Sequence, residues 1–174
     1  MRLKILLNIL GGLLLILGLA MIFPILISYG YGESDLTGFL ISFSGCIIFG
    51  FPTWYFTRHN KTLTNRDGFA IVTFSWIFTA IVGALPFYLS GAIPNITDAF
   101  FESMSGLTTT GATVLTNLDT LPKSLLFYRQ QLQWLGGMGI VILALAILPM
   151  LGVGGMHLYK AESTGPIKDN KISP

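Results

Sequence analysis

Four long apolar segments, separated by more polar stretches, dominate the pattern of the chain. They are Ile5 to Ile27, Leu36 to Tyr55, Phe69 to Leu89 and Leu125 to Leu151. A helix needs roughly 20 apolar residues to cross the ~30 Å hydrocarbon core of a bilayer, and each of the four segments reaches that length. The pattern therefore predicts four membrane-spanning helices.

A shorter segment, Ile96 to Leu107, lies between the third and fourth spans. As a helix it would be about 18 Å long, which is too short to cross the bilayer core. Asn95 is a good helix N-cap, Asp98 and Glu102 suit the positive end of the helix dipole, and Gly106 is typical of a helix end. We predict a re-entrant half-helix. A surface hairpin is the alternative, although it would leave several large apolar side chains exposed.

The basic residues predict the orientation of the spans. Eight of the ten lysines and arginines lie in three segments outside the spans, at the N-terminus, between the second and third spans and after the fourth, and basic segments favour the cytoplasmic side. The loop between the first two spans carries Glu33 and Asp35 and no basic residue, as expected of an outer loop. Both termini are therefore predicted to be cytoplasmic, and the half-helix to enter and leave from the outer side. The eight basic residues are Arg2, Lys4, Arg58, Lys61, Arg66, Lys160, Lys168 and Lys171.

Composition agrees with a membrane protein and excludes other classes. Of the 174 residues, 52% are hydrophobic and 10% are charged, and a net charge of +2 is too small and too scattered for binding nucleic acid. Cys46 is the single cysteine, so no intramolecular disulfide can form, and His59 and His157 have no partners at metal-ligand spacing. The dispersed acidic residues do not assemble an enzyme site. We expect neither catalysis nor a cofactor.

The polar stretch Thr108–Thr113, Thr-Thr-Thr-Gly-Ala-Thr, follows the half-helix at membrane depth. Non-helical backbone is tolerated there where protein buries it or where it lines a water-filled path, and its carbonyl oxygens can then replace the hydration shell of a cation. Gly111 can adopt a positive φ without steric cost, which helps successive carbonyls to point toward one axis.

This stretch is the predicted site. It contains no carboxylate, which favours the monovalent potassium ion over calcium or magnesium. The predicted ligands are the backbone carbonyls of Thr109, Thr110, Gly111 and Ala112, with Thr108 and Thr113 on their flanks.

Arg129 lies early in the fourth span, where an ionised side chain is costly and is usually paired. Glu102 of the half-helix is the candidate partner, and a contact between them would brace the half-helix against the span. The alternative is that Arg129 extends to the outer interface by itself.

Two long blocks, Asp98–Ala112 and Phe127–Ile140, resemble the TrkH/TrkG family of bacterial potassium transporters, as do Ile147–Met156 and Asp169–Lys171. The resemblance implies an inner-membrane protein in which two leading helices precede four helix, pore-loop, helix repeats, with Gly111 as the filter glycine of the first repeat. It also implies a homodimer with a cytoplasmic nucleotide-binding regulatory subunit, and potassium uptake driven by membrane potential or coupled to protons.

The expected fold is all-α and membrane-embedded, with one pore repeat. We assign 1–57 to a leading hairpin, 58–68 to a cytoplasmic loop, 69–151 to the repeat, with its half-helix at 96–107 and filter at 108–113, and 152–174 to a cytoplasmic segment. Because one repeat cannot enclose a pore, a conducting path needs either the rest of a longer chain or an association of copies, and we favour a truncated chain. The alternative is a non-conducting scaffold or regulatory fragment that associates with full-length subunits.

Overall fold

The computed structural model describes the backbone of residues 3–57, 65–116 and 118–147, and the side chains of these ranges except 65–67 and 142–147. The described residues form helices and no β-strand, as the predicted all-α fold requires. In chain order the helices are α1 (Leu3–Tyr31), α2 (Leu36–Phe56), α3 (Asn65–Leu89), α4 (Ile96–Leu107) and α5 (Lys123–Ile147). A 3-10 turn, Leu118–Thr120, precedes α5.

Three of the described helices are long and apolar enough to cross a membrane: Leu3–Tyr31, Leu36–Phe56 and the Gly68–Leu89 part of α3. They correspond to the first three predicted spans. Helix α5 begins where the fourth span was expected, and the apolar end of that span, as far as Leu151, lies partly outside the described residues. The two histidines, residues 58–64 of the predicted cytoplasmic loop and the predicted cytoplasmic segment 152–174 also lie outside them.

Helices α1 and α2 pack closely because glycines face each other. A Cβ added at Gly11 would lie 2.7 Å from the backbone nitrogen of Trp54, and one added at Gly50 would lie 2.9 Å from the Cβ of Leu14. Without a hydrophobic driving force between helices in lipid, such small residues let backbones approach and gain van der Waals contact. The leading hairpin is therefore a tightly packed pair.

Tyr128 of α5 joins three helices in the interior. Its ring lies 5.4 Å from that of Phe39 in α2 and 5.3 Å from that of Phe87 in α3, and its hydroxyl donates to the Gly83 carbonyl at 3.0 Å. The side chain is 2% exposed, so a buried hydroxyl needs this acceptor. These contacts fix the first turns of α5 against α2 and α3.

The connection between α1 and α2 caps the start of α5. Glu33 accepts hydrogen bonds from the backbone nitrogens of Lys123 at 2.7 Å and Ser124 at 3.1 Å, and from the Ser124 hydroxyl at 2.5 Å. Buried Asp35 accepts from Ser28 at 2.6 Å and also contacts the Ser124 hydroxyl. Burial raises the pKa of Glu33, but the hydrogen bonds from Ser124 and Lys123 and the Lys123 charge outweigh it, so that the pKa lies below its ordinary value.

Candidate functional site

The half-helix α4 has a complete cap at its start and a tight turn at its end. The Asn95 side chain accepts from the backbone nitrogen of Thr97 at 3.0 Å, as the sequence predicted for an N-cap. At the other end, the nitrogens of Thr109 and Thr110 donate to the carbonyls of Gly106 and Ser105, both at 3.0 Å. This pattern resembles a Schellman ending and turns the chain sharply out of the helix.

Positive φ angles mark two positions in the stretch after α4. Gly111 has φ 79°, the conformation that its lack of a side chain permits. Thr109 has φ 57°, which is unusual for a β-branched residue and was not predicted. The two residues bend the chain twice within three positions, and residues 109–114 are exposed.

The four predicted carbonyl ligands have different surroundings. The Ala112 carbonyl accepts from the Ser105 hydroxyl at 2.6 Å, and the Gly111 carbonyl lies 3.4 Å from an Arg129 terminal nitrogen. Within the described part of the chain, no hydrogen bond ends on the carbonyl of Thr109 or Thr110. Since a carbonyl oxygen has two lone pairs, all four retain acceptor capacity for a cation.

The threonine side chains at the two flanks form hydrogen bonds with other groups of the chain. The Thr108 hydroxyl donates to the Met104 carbonyl at 2.8 Å and lies 2.8 Å from the hydroxyl of Thr110. Thr113 donates to the Glu102 carboxylate at 2.9 to 3.0 Å and accepts from the Leu115 nitrogen at 3.0 Å. These contacts tie both ends of the stretch to α4.

Glu102 is the centre of the polar contacts. Its side chain is 1% exposed, and Arg129 Nε of α5 donates to its Oε1 at 2.6 Å. Besides the Thr113 hydroxyl, the backbone nitrogen of Val114 donates to Oε2 at 3.0 Å. One carboxylate thus connects α4, the polar stretch and α5, and its buried charge is paired and hydrogen-bonded as a low-dielectric setting requires.

The end of α4 also touches the backbone of α5. A Cβ added at Gly136 would lie 1.8 Å from the Leu107 carbonyl oxygen, and one added at Gly106 would lie 3.3 Å from the Leu132 Cβ. Only glycine fits at 136, because a methyl group there would overlap main-chain atoms. This contact sets the position from which the polar stretch departs.

The arrangement is a half-helix followed by an exposed stretch with a positive-φ glycine, in which the Thr109 and Thr110 carbonyls accept no hydrogen bond from the described residues and which the Glu102–Arg129 ion pair holds in place. The TrkH family, whose description is cation transport protein, matches residues 36–174. The chain belongs to the TrkH family. The prediction made from the two sequence blocks is thereby confirmed.

Individual members of the family are similar to this chain over most of its length. The Trk system potassium uptake protein TrkH of Halomonas elongata is 51% identical over 176 residues, which are all of this chain and 36% of that protein. TrkG of Escherichia coli K12 is 41% identical over 167 residues, 94% of this chain and 34% of that protein.

A solved member of the TrkH family shares the fold. The crystal structure of the potassium transporter TrkH from Vibrio parahaemolyticus aligns with a TM-score of 0.82 at 45% identity, covering 89% of this chain and 34% of that one. The all-α membrane fold is therefore confirmed. The chain spans about a third of the length of the relatives that it matches.

Sequence reasoning missed parts of this TrkH-family site. It named Glu102 and Arg129 as candidate partners, and the structure brings their side chains together. It did not foresee that Glu102 also holds Thr113 and Val114, because a contact across a non-helical turn leaves no periodic signal. Nor did it foresee that Leu107 lies directly against Gly136. No group of three His, Cys, Asp or Glu side chains suited to a metal ion occurs in the described ranges.

Proposed function

We propose that the chain supplies one filter strand of a potassium-selective uptake pathway in the bacterial inner membrane. The observation that carries the proposal is the pair of carbonyls at Thr109 and Thr110, which accept no hydrogen bond from the described residues although they follow a membrane-embedded half-helix. Backbone oxygens in such a setting need a partner, and a partly dehydrated cation provides one.

The ligands are the carbonyl oxygens of Thr109, Thr110, Gly111 and Ala112. The partially negative C-terminal end of α4 lies beside them and favours a cation. No carboxylate stands within the stretch, so neutral dipoles hold the ion, which suits weakly hydrated potassium. The names of the relatives, which refer to potassium uptake, agree with this ion.

Glu102 and Arg129 act as a clamp on this strand. Arg129 neutralises the buried carboxylate, and the carboxylate holds Thr113 and Val114 in place through three hydrogen bonds. The carbonyl oxygens are therefore held in their binding positions before the ion arrives. The ion does not have to rearrange them on binding. The clamp thereby positions the ligands without touching the ion.

The proposed organisation follows the predicted ranges. Residues 1–57 form the leading hairpin, 58–68 a cytoplasmic loop, 69–151 the pore repeat and 152–174 a cytoplasmic segment. Both termini are cytoplasmic. The complete transporter is a homodimer with a nucleotide-binding regulatory subunit and requires three further strands, from a longer chain or from other copies. It performs no covalent chemistry and carries no cofactor.

The first test is growth of a transport-deficient bacterium at limiting potassium. The chain is expressed alone and, separately, extended by the coding sequence that follows it. We expect rescue by the extended chain only, because one strand cannot enclose a pore. Absence of rescue by either would favour a scaffold or regulatory fragment instead.

The second test changes Gly111 to Val in the version that rescues growth. Gly91, in the α3–α4 connection, is the matched control, since it has a similar φ of 76° and, like Gly111, open space around its Cβ position. Gly111→Val and Gly91→Val impose comparable backbone strain, but only the former alters the filter. We expect the preference for potassium over sodium to fall in Gly111→Val alone. An unchanged preference would remove this strand from the filter.

A further inference from the structure

The first turn of α5 has no capping side chain of its own. The residue before the helix is Pro122, whose ring offers no hydrogen-bond acceptor, although its carbonyl accepts from the Leu126 nitrogen. Glu33, 90 residues before Lys123 in the chain, accepts instead from the backbone nitrogens of Lys123 and Ser124. The start of α5 therefore depends on a carboxylate from the α1–α2 connection.

A second carboxylate of the leading hairpin lies against the same turn. Asp35 is buried, and its two oxygens contact the hydroxyls of Ser28 and Ser124, which are also buried. The Ser124 hydroxyl reaches Glu33 as well, at 2.5 Å. Separating these groups is costly, because each buried polar atom would lose its partner. We call Glu33, Asp35 and Ser124 the α5 latch.

One face of α5 contacts the leading hairpin over its first turns. Tyr128, four residues beyond Ser124, packs its ring on Phe39 of α2. Three residues further, the Gln131 amide donates to the Ala20 carbonyl of α1 at 3.0 Å. Residues spaced by four and three positions lie on one side of a helix. The α5 latch is therefore the first contact in a row that runs along the hairpin.

A different face of α5 contacts α4. Arg129 binds Glu102 there, and Gly136 lies against Leu107. At 3.6 residues per turn, Arg129 and Gly136 lie about 130° around the helix from Ser124. Because both faces belong to one helix, a shift of α5 at its first turn also moves Arg129 relative to Glu102.

We propose that Glu33 and Asp35 are positioning residues for the filter strand. The α5 latch holds α5 in the position and rotation at which Arg129 meets Glu102, and Glu102 in turn holds the polar stretch. Arg129 lies only about 9 Å along the helix from Lys123, so a displacement at the first turn reaches it. The two carboxylates act through α5 and do not touch the ion. This inference rests on the proposed function, since it concerns the selectivity of that strand.

Ion competition in the extended chain that rescues growth tests the α5 latch. Glu33→Gln keeps the length of the side chain, but its amide nitrogen then faces a backbone donor in place of a carboxylate oxygen. Asn8→Ala is the matched control. Asn8 donates to the Trp54 carbonyl at 2.8 Å near the start of α1, so its loss weakens the leading hairpin at the end away from Glu33.

The expected result separates positioning from stability. In Glu33→Gln we expect the preference for potassium over sodium to fall about threefold or more, with the KM for potassium raised and the maximal rate per folded transporter retained. Asn8→Ala should keep the wild-type preference. A purely structural role would reduce the amount of folded protein in both variants and leave the preference unchanged, and that result would overturn the proposal.

Gly111→Val is measured in the same assay, so that two failures can be told apart. If Gly111→Val loses its preference for potassium and Glu33→Gln does not, the latch proposal is wrong and the filter strand stands. If neither variant changes the preference, the proposed function is wrong as well.

Backbone hydrogen exchange of the purified transporter follows the displacement directly. The Val114 nitrogen donates to Glu102, so a peptide covering residues 113–116 reports whether the polar stretch is held. We expect several-fold faster exchange in this peptide in Glu33→Gln and in Asp35→Asn, and wild-type exchange in Asn8→Ala. Faster exchange confined to the first turn of α5 would mean that the latch is only a local cap, and would overturn the proposal.

Discussion

At the scale of single residues, Glu102 carries a negative charge in a place where water cannot reach it. Four hydrogen-bond contacts to its carboxylate, one of them from the Arg129 guanidinium, offset the cost of burying that charge. Removing one member of such a pair leaves the other uncompensated, which is more damaging than losing a surface ion pair. The Arg129 side chain is 17% exposed, so its charge is only partly solvated.

Glu102→Gln should therefore destabilise the protein by about 3 kcal/mol and lower its preference for potassium over sodium, because Thr113 and Val114 lose their anchor. Unfolding in detergent measures the first effect and ion competition in uptake measures the second. Asp98→Asn removes a half-buried carboxylate from the first turn of the same helix and should cost less than about 1 kcal/mol. Equal effects of Glu102→Gln and Asp98→Asn would contradict a clamp.

At the scale of helices, the two adjacent glycines of α5 make a sharp comparison. Gly136→Ala would bring a methyl group to 1.8 Å from the Leu107 carbonyl, so α5 must move away from α4. We expect at least about 3 kcal/mol of destabilisation and loss of uptake, at the upper end of overpacking costs. Gly137→Ala meets only the Thr109 Cγ2 at 3.7 Å and should fold normally. Thermal unfolding of both variants measures the difference in stability. If Gly136→Ala is as stable as the wild type, the contact between Gly136 and Leu107 is not formed.

The start of α5 should respond to acid through Glu33. Its pKa in the folded protein lies below the ordinary value of 4.5, so the stabilisation is complete above that value and is lost as the pH falls through the lowered pKa. The contribution of Glu33 to thermal stability is expected to be constant above about pH 5 and to decrease below it. In Glu33→Gln the decline should be smaller. Asp119→Asn, an exposed carboxyl in the 3-10 turn, should leave the wild-type profile unchanged.

At the scale of the whole molecule, the topology makes a prediction about which segments share a side. Ser34→Cys and Thr116→Cys, each in the Cys46→Ala background, should react with a membrane-impermeant thiol reagent added outside intact cells. If α2 crosses the membrane between Ser34 and His59, His59→Cys should react only after the membrane is opened. If the half-helix returns to the side from which it entered, Thr116→Cys should react on the same side as Ser34→Cys. Labelling of Thr116→Cys from the cytoplasmic side only would mean that α4 crosses the membrane.

Much of this architecture could be read from the sequence. The first three spans, the bounds of α4 and the cap at Asn95 depend on local patterns: apolar length, a capping side chain and a short helix between polar ends. The 3-10 turn at Leu118–Thr120 and the positive φ of Thr109 were not predicted, because neither has a distinctive local signal. Thr109 adopts its conformation because the turn at the end of α4 and the following stretch constrain it from both sides.

The amino-acid sequence alone determined that this protein is embedded in a membrane, that one half-helix precedes a threonine-glycine stretch, and that the chain resembles the TrkH/TrkG family. Those conclusions rest on hydrophobicity and short-range chemistry, which act along the chain. Only the tertiary structure decided that Glu102 binds Thr113, Val114 and Arg129, and that Gly136 presses on Leu107. Such contacts join residues distant in sequence, and their geometry exists only once the helices have packed.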